Sequence, residues 1–139
     1  MNKILNKFNL KNRISLITGG AGLLGEGHAH ALLEVGATVI LTDIDSQNLS
    51  KVGKNLAKIH GKERVVCKIM DVTSEESIRG VADELIDDKI SINILINNAA
   101  IDPKVNKDGV IETSRLENFS LDDWNFQLNV GLTGAMLCS

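Results

Sequence analysis

Short apolar runs alternate along the chain with segments whose apolar positions recur every three or four residues, and this alternation is the pattern of a parallel sheet covered by helices. "RISLIT" (residues 13–18) reads as the first strand, and "EGHAHALLEVG" (26–36) as the following helix, closed by Gly36. "ATVILT" (37–42), rich in β-branched residues, is the second strand. The next helix runs from about Asp45 to His60, capped by Asp45 or Ser46 and stopped by Gly61. "RVVCKIM" (64–70) is the third strand. In "DVTSEESIRGVADELIDD" Thr73 and Glu76 stand at capping-box spacing, and Ile78, Val81, Ala82, Leu85 and Ile86 form one apolar stripe. "INILIN" (92–97), almost wholly apolar, is a fourth strand with helices on both faces. A polar loop reaches to about Phe119, after which Ser120 and Asp123 repeat the capping-box spacing ahead of a last helix, "LDDWNFQLNVGLTGAMLCS".

Between the first strand and the first helix lies "TGGAGLLGEG" (18–27), with five glycines in ten residues. A glycine-rich turn that leaves a strand and enters a helix aims backbone N–H groups and the positive end of the helix dipole at one point, where an anion belongs. Gly19, Gly22 and Gly25, three apart, fit a tight turn, a close approach of backbone to pyrophosphate, and close helix-on-strand packing. Asp43, at the end of the second strand and eighteen residues after Gly25, matches the carboxylate that accepts hydrogen bonds from an adenosine ribose. It would repel a 2′-phosphate, and no Arg or Lys in the glycine loop or just after Asp43 offsets that repulsion, so NAD is expected rather than NADP. Thr18, Leu23, Leu24 and Ile44 flank these residues and are counted with the cofactor set.

Composition narrows the setting. With 139 residues, 43% of them apolar, and a net charge of -3, the chain suits a single globular domain. No apolar run approaches the ~20 residues of a membrane span, and the basic start (Lys3, Lys7, Lys11, Arg13) is not followed by a signal-peptide core, so a cytoplasmic protein with no membrane partner is expected. Mild acidity argues against nucleic acid. Cys67 and Cys138 are far apart, lie in apolar segments and show no metal-ligand spacing, which reads as two reduced core thiols. His28 and His30 are read as surface or packing residues without an acid-base partner, and Trp124, Phe126 and Leu128 as packing the last helix against the sheet or a second subunit.

Further landmarks fall in a fixed order: "DVT" (71–73) after the third strand, "NNAA" (97–100) after the fourth, and "NVGLTGA" (129–135) in the last helix. Together with "TGGAGLLG" and Asp43 they make the chain resemble the cofactor half of the short-chain dehydrogenase/reductases, of the classical type. The resemblance implies an α/β fold with a doubly wound parallel sheet, a Rossmann fold incomplete at its C-terminal side. It implies a nicotinamide cofactor, a small alcohol or carbonyl substrate, and a homo-oligomer in the complete protein. Asp71 and Val72 would border the adenine, and Asn97, Asn98 and Ala99 would hold the sheet beside the cofactor ribose. Asn129 would be the catalytic asparagine, interrupting its helix so that its carbonyl holds a water in the proton path.

Two departures from the family pattern matter. The glycine spacing is T-G-x-x-G-x-x-G, with Leu23 where the usual T-G-x-x-x-G-x-G has glycine. That spacing is similar to the extended branch of nucleotide-sugar epimerases and dehydratases, while "NNAA" and Asn129 are not, so Gly22 takes the role of middle glycine. Similarity to reductases of bacterial surface-sugar and flagellin-glycan pathways points to a sugar-linked substrate. The family's chemistry also uses a serine and a Tyr-x-x-x-Lys pair, and this chain has no tyrosine; its last lysine is Lys107. These residues and an exposed fourth-strand edge lead to the expectation that the chain is the N-terminal part of a longer single-domain protein, inactive alone. A non-catalytic dinucleotide-binding or redox-sensing module remains the alternative, and a methyltransferase-type fold is disfavoured by "NNAA" and Asn129.

Overall fold

The computed structural model describes residues 7–101 and 116–139. Lys3 of the basic start, Lys107 and most of the loop before Phe119 lie outside them. Four parallel strands, β1 (Ile14–Thr18), β2 (Thr38–Asp43), β3 (Val65–Ile69) and β4 (Ile94–Ile96), form one sheet in the order β3-β2-β1-β4. Leu16 stands beside Ile40 on one side and Leu95 on the other. The helices are α1 (Leu23–Glu34), α2 (Ser46–His60), α3 (Glu75–Asp87) and α4 (Leu121–Leu128), with a π-helical turn (Asn129–Thr133) leading into α5 (Gly134–Cys138).

Successive strand residues point to opposite faces, and this splits the core in two. Ile17, Val39 and Leu41 pack against Ala29 and Leu33 of α1 and Leu49, Val52 and Leu56 of α2. Leu16 and Ile40 face the other way, onto Val81 and Leu85 of α3 and Val130 of the π turn. Helices therefore cover both faces of a parallel sheet, which is the doubly wound α/β arrangement expected from the alternation of runs. No helix among the described residues is long and apolar enough to cross a membrane.

Several local expectations shift for identifiable reasons. α1 begins at Leu23, three residues earlier than the periodicity suggests, because Gly22 occupies the N-cap and its carbonyl accepts the Glu26 N–H at 2.9 Å. α3 is capped by Ser74, whose hydroxyl accepts the Ser77 N–H. Thr73 is already engaged, donating its N–H and hydroxyl to Asp71 at 2.8 and 2.7 Å. The stripe of α3 is narrower than predicted: Val81 and Leu85 are buried, whereas Ala82 and Ile86 face solvent. Arg64 belongs to a 3-10 turn (Lys62–Arg64) ahead of β3, and its guanidinium donates to the Leu33 and Ala37 carbonyls, closing the C-terminal end of α1. Cys67 is not a core thiol: β3 ends the sheet, and its side chain is exposed beside Gly53 of α2. Cys138 is half-buried, and both thiols are free.

His30 does have a partner. Its Nδ1 lies 3.0 Å from Nε2 of His60, with the two rings edge-on, so helices α1 and α2 are joined by a bond that needs one neutral ring. Desolvation first, then the charges of His30 and Arg64, hold the His60 pKa below its ordinary 6.5, against a small opposing pull from Glu34. The unfolded chain therefore binds the His60 proton more readily, and stability falls as pH drops from 6.5 toward the lowered folded value. Denaturant midpoints at about pH 7.5 and about pH 5.5, on either side of the ordinary histidine range, should differ less in His60→Gln than in the unsubstituted chain.

Candidate functional site

The order of the sheet reverses between β1 and β4, since the chain builds outward through β2 and β3 and then returns to the other side of β1. In doubly wound sheets the crevice at the carboxyl ends of the strands beside such a reversal is the ligand site, and here it holds a cavity of about 610 Å³.

One wall is the glycine turn, and three of its N–H groups have fixed partners. Gly20 N–H donates to the Thr42 carbonyl at 2.9 Å, Ala21 N–H to Asp43 Oδ2 at 3.0 Å, and Gly22 N–H to the Gly19 carbonyl at 3.2 Å. Gly19 has φ +62, and a Cβ there would lie 2.8 Å from the Ala99 Cα. The turn needs glycine at that position for conformation and for space. A Cβ on Gly22 would make only an ordinary contact, 3.4 Å from the Gly19 oxygen. Gly22 is the N-cap of α1 without a side-chain cap, and the Leu23, Leu24 and Gly25 N–H groups precede the first intrahelical bond, which Glu26 makes. The donors aimed at an anion therefore belong to the first turn of α1, since the Gly22 N–H is spent inside the turn.

A second clamp comes from the segment that follows β4. Asn98 Nδ2 donates to both the Thr18 and Gly19 carbonyls at 3.0 Å, while the Thr18 hydroxyl accepts the Asn98 and Ala99 N–H groups at 3.0 Å. Thr18, 2% exposed, is thus a buried tie between strands rather than part of the cavity wall. Gly25 is likewise buried, where α1 crosses the turn.

Asp43 closes β2. Its two carboxylate oxygens accept the Ala21 and Asp45 N–H groups, each at 3.0 Å, which fixes the side chain at the cavity with lone pairs to spare. Ile44 and, beyond the end of neighbouring β3, Asp71 and Val72 also line the cavity, as do Asn98 and Ala99 beyond the end of β4. Leu23 and Leu24 line the cavity from α1, and Leu23 is 90% exposed. Of the residues singled out in the sequence, Thr18, Gly25, Asn97 and Asn129 do not line it. Asn97 turns to α5, its amide donating to the Ala135 carbonyl and the Ser139 hydroxyl at 3.3 Å. Asn129, exposed, opens the π turn, and its carbonyl accepts the Gly134 N–H. Such turns break regular helical bonding and are frequent at functional sites. Gly134 lets α5 press on Val72, since a Cβ there would lie 2.9 Å from the Val72 Cγ2.

Met70, Thr73, Ala100, Ile101, Phe126 and Val130 also line the cavity and were not singled out as site residues. Met70 and Thr73 adjoin Asp71 and Val72, and Ala100 and Ile101 continue from Ala99, so adjacency alone would have found them. Phe126, 52% exposed, reaches the cavity from α4, a helix that buries none of its own residues: Trp124 and Leu128 are exposed as well, so the expected packing of this helix on the sheet is not seen.

The glycine turn and the exposed N-cap of α1 would let a pyrophosphate come close to the backbone, and Asp43 stands at the end of the adjacent strand, so these residues fit a dinucleotide. Comparison with known proteins agrees with this geometry. The model of the short chain dehydrogenase family matches residues 13–139. A (2S)-[(R)-hydroxy(phenyl)methyl]succinyl-CoA dehydrogenase subunit of Thauera aromatica is 32% identical over 131 residues, 94% of this chain and 48% of that protein. The crystal structure of an NAD+-bound xylitol dehydrogenase superposes with a TM-score of 0.77 at 26% identity, over 93% of this chain and 46% of the other. A gluconate 5-dehydrogenase from Burkholderia cenocepacia in complex with NADP and tartrate gives 0.80 at 26% identity, over 97% and 49%. The chain spans about half the length of these relatives. A parallel sheet with this switch point and the match over residues 13–139 establish that the chain belongs to the short-chain dehydrogenase family.

Proposed function

We propose that the chain binds a nicotinamide dinucleotide, NAD in preference to NADP, as the cofactor-holding part of an alcohol/carbonyl oxidoreductase. The observation that carries this reading is the Asp43 carboxylate, fixed by two backbone N–H groups at the cavity beside the glycine turn. Its remaining lone pairs suit the two ribose hydroxyls, and its charge opposes a 2′-phosphate. The first-turn N–H groups of α1, at Leu23, Leu24 and Gly25, would hold the pyrophosphate. Asp71 and Val72 would border the adenine, and Asn98 and Ala99 the nicotinamide half. The cofactor, when bound, accepts or supplies the hydride. Asn129 is the candidate catalytic asparagine: the π turn that it opens breaks the regular bonding of the helix, and its carbonyl, with one lone pair taken by Gly134 N–H, retains a second for a water. The xylitol and gluconate enzymes among the structural relatives support a polyol or sugar-acid substrate.

Calorimetric titration of the intact gene product with NAD and NADP tests the reading. NAD should bind at least about tenfold more tightly, as expected where a carboxylate faces the 2′ position. Equal or tighter NADP binding would overturn the preference, and failure to bind either would overturn the dinucleotide reading.

A further inference from the structure

Ala21 sits at the centre of the glycine turn, 5% exposed, and is held from both sides by the end of β2 and the first turn of α2. Asp43 accepts its N–H, and Asn48 Nδ2 donates to its carbonyl at 2.7 Å. The backbone of Asn48 is fixed in turn by Asp45, whose Oδ1 accepts the Asn48 N–H at 3.0 Å as part of the α2 cap. Asn48 does not line the cavity.

The Ala21 carbonyl shares a planar peptide with the Gly22 N–H, and that N–H reaches back to the Gly19 carbonyl while Gly22 caps α1. An oxygen held by Asn48 therefore fixes the plane through which the turn enters the helix, and with it the direction of the Leu23 and Leu24 N–H groups. Left unpaired, the buried carbonyl would have to find another donor or rotate.

We propose that Asn48 is a positioning residue of the dinucleotide site: by holding the Ala21 carbonyl it sets the aim of the first-turn N–H groups of α1 at the pyrophosphate. The proposal rests on the dinucleotide reading and adds to it a residue outside the cavity.

The test compares Asn48→Asp, Asn48→Leu and Asn48→Gln in the intact gene product, reading NAD affinity by calorimetry and amide hydrogen exchange at Ala21 and Gly22 without ligand. Asp and Leu keep the size of Asn but lack the amide donor, and each should weaken NAD binding roughly tenfold and speed exchange at both amides. Gln keeps the donor and should recover most of both. The readouts separate positioning from a role confined to α2, because a carboxylate in the first turn of a helix favours it. On that simpler view Asn48→Asp would melt no lower than the unsubstituted chain and bind NAD as well. Unchanged NAD affinity and exchange in Asn48→Leu would overturn the proposal. Absence of NAD and NADP binding by the unsubstituted chain would instead sink the dinucleotide reading itself, and the proposal with it.

Discussion

Replacing Gly25 with alanine should destabilise the chain by about 3 kcal/mol, the upper end for an overpacked core, and weaken NAD binding by roughly two orders of magnitude. The added Cβ would overlap the Gly19 carbonyl oxygen and stand 2.8 Å from the Gly20 Cα and 3.1 Å from the Gly19 carbonyl carbon. All three are backbone atoms, so no side-chain rotation relieves the overlap; either the turn opens or α1 lifts from the sheet. Gly25, Ala29 and Leu33 are the buried residues of α1 and share one face. Lifting the helix at Gly25 therefore strains the packing of the other two as well as the aim of its N-terminal donors. Two other glycines of the segment supply the contrast. Gly22→Ala meets only the Gly19 oxygen at 3.4 Å, with φ at -78, and should fold normally. Gly27→Ala, in the helix with nothing within 4 Å of the new Cβ, should gain about 0.5–1 kcal/mol. Thermal melting should place Gly25→Ala roughly ten degrees or more below the unsubstituted chain. A Gly25→Ala protein that melts with the Gly27→Ala variant and binds NAD normally would show that α1 does not need its close approach to the turn.

That contrast also shows which parts of the site are legible in a sequence. Spacing assigned three glycines three roles, and two of them, the tight turn at Gly19 and the close packing at Gly25, correspond to positions where a Cβ cannot fit. The part assigned to Gly22 differs in kind. Its N–H is used within the turn, and its contribution is to start α1 early. Whether a glycine is required by space or merely tolerated depends on atoms far away in sequence, such as Ala99 against Gly19, and periodicity carries no information about them. The fold was more legible, because the two central strands, β1 and β2, bury both faces and so print nearly continuous apolar runs. Legibility failed at the margins for the same reason. Arg64 and Met70 extend the run of β3 in sequence, yet Arg64 closes a helix end and Met70 lines the cavity.

Polar partners chosen across long sequence distances were the least legible. Asn98 reads in sequence as a cofactor residue, yet its amide is engaged by the Thr18 and Gly19 carbonyls, about eighty residues earlier in the chain. The neighbouring Asn97 carries the same side chain just past the end of β4, yet its amide is turned toward α5. The His30–His60 pair joins two helices whose separate patterns give no hint that the rings meet. Asn48 reads in sequence as an ordinary residue of the first turn of α2, and only the folded connection brings it to Ala21.

Asp43→Ala should shift cofactor preference toward NADP by at least about tenfold, through a loss of NAD affinity of roughly ten- to a hundredfold, the range for hydrogen bonds to a charged group. The carboxylate does two things that pull differently on the two cofactors. It accepts the Ala21 N–H and so supports the glycine turn that both would share. It also presents a negative charge at the cavity, which in the proposed reading would accept bonds from the ribose hydroxyls but repel a 2′-phosphate. Removing it costs NAD the ribose contact and the support of the turn. NADP loses that support and is relieved of the repulsion, so its affinity should change by less than about tenfold. Higher salt distinguishes the two contributions: screening should improve NADP binding to the unsubstituted chain and leave NADP binding to Asp43→Ala without that gain. Parallel titrations at two salt concentrations provide the measurement. Equal losses for NAD and NADP, with no difference in salt response, would mean that Asp43 supports the turn alone and that cofactor selection lies elsewhere in the cavity.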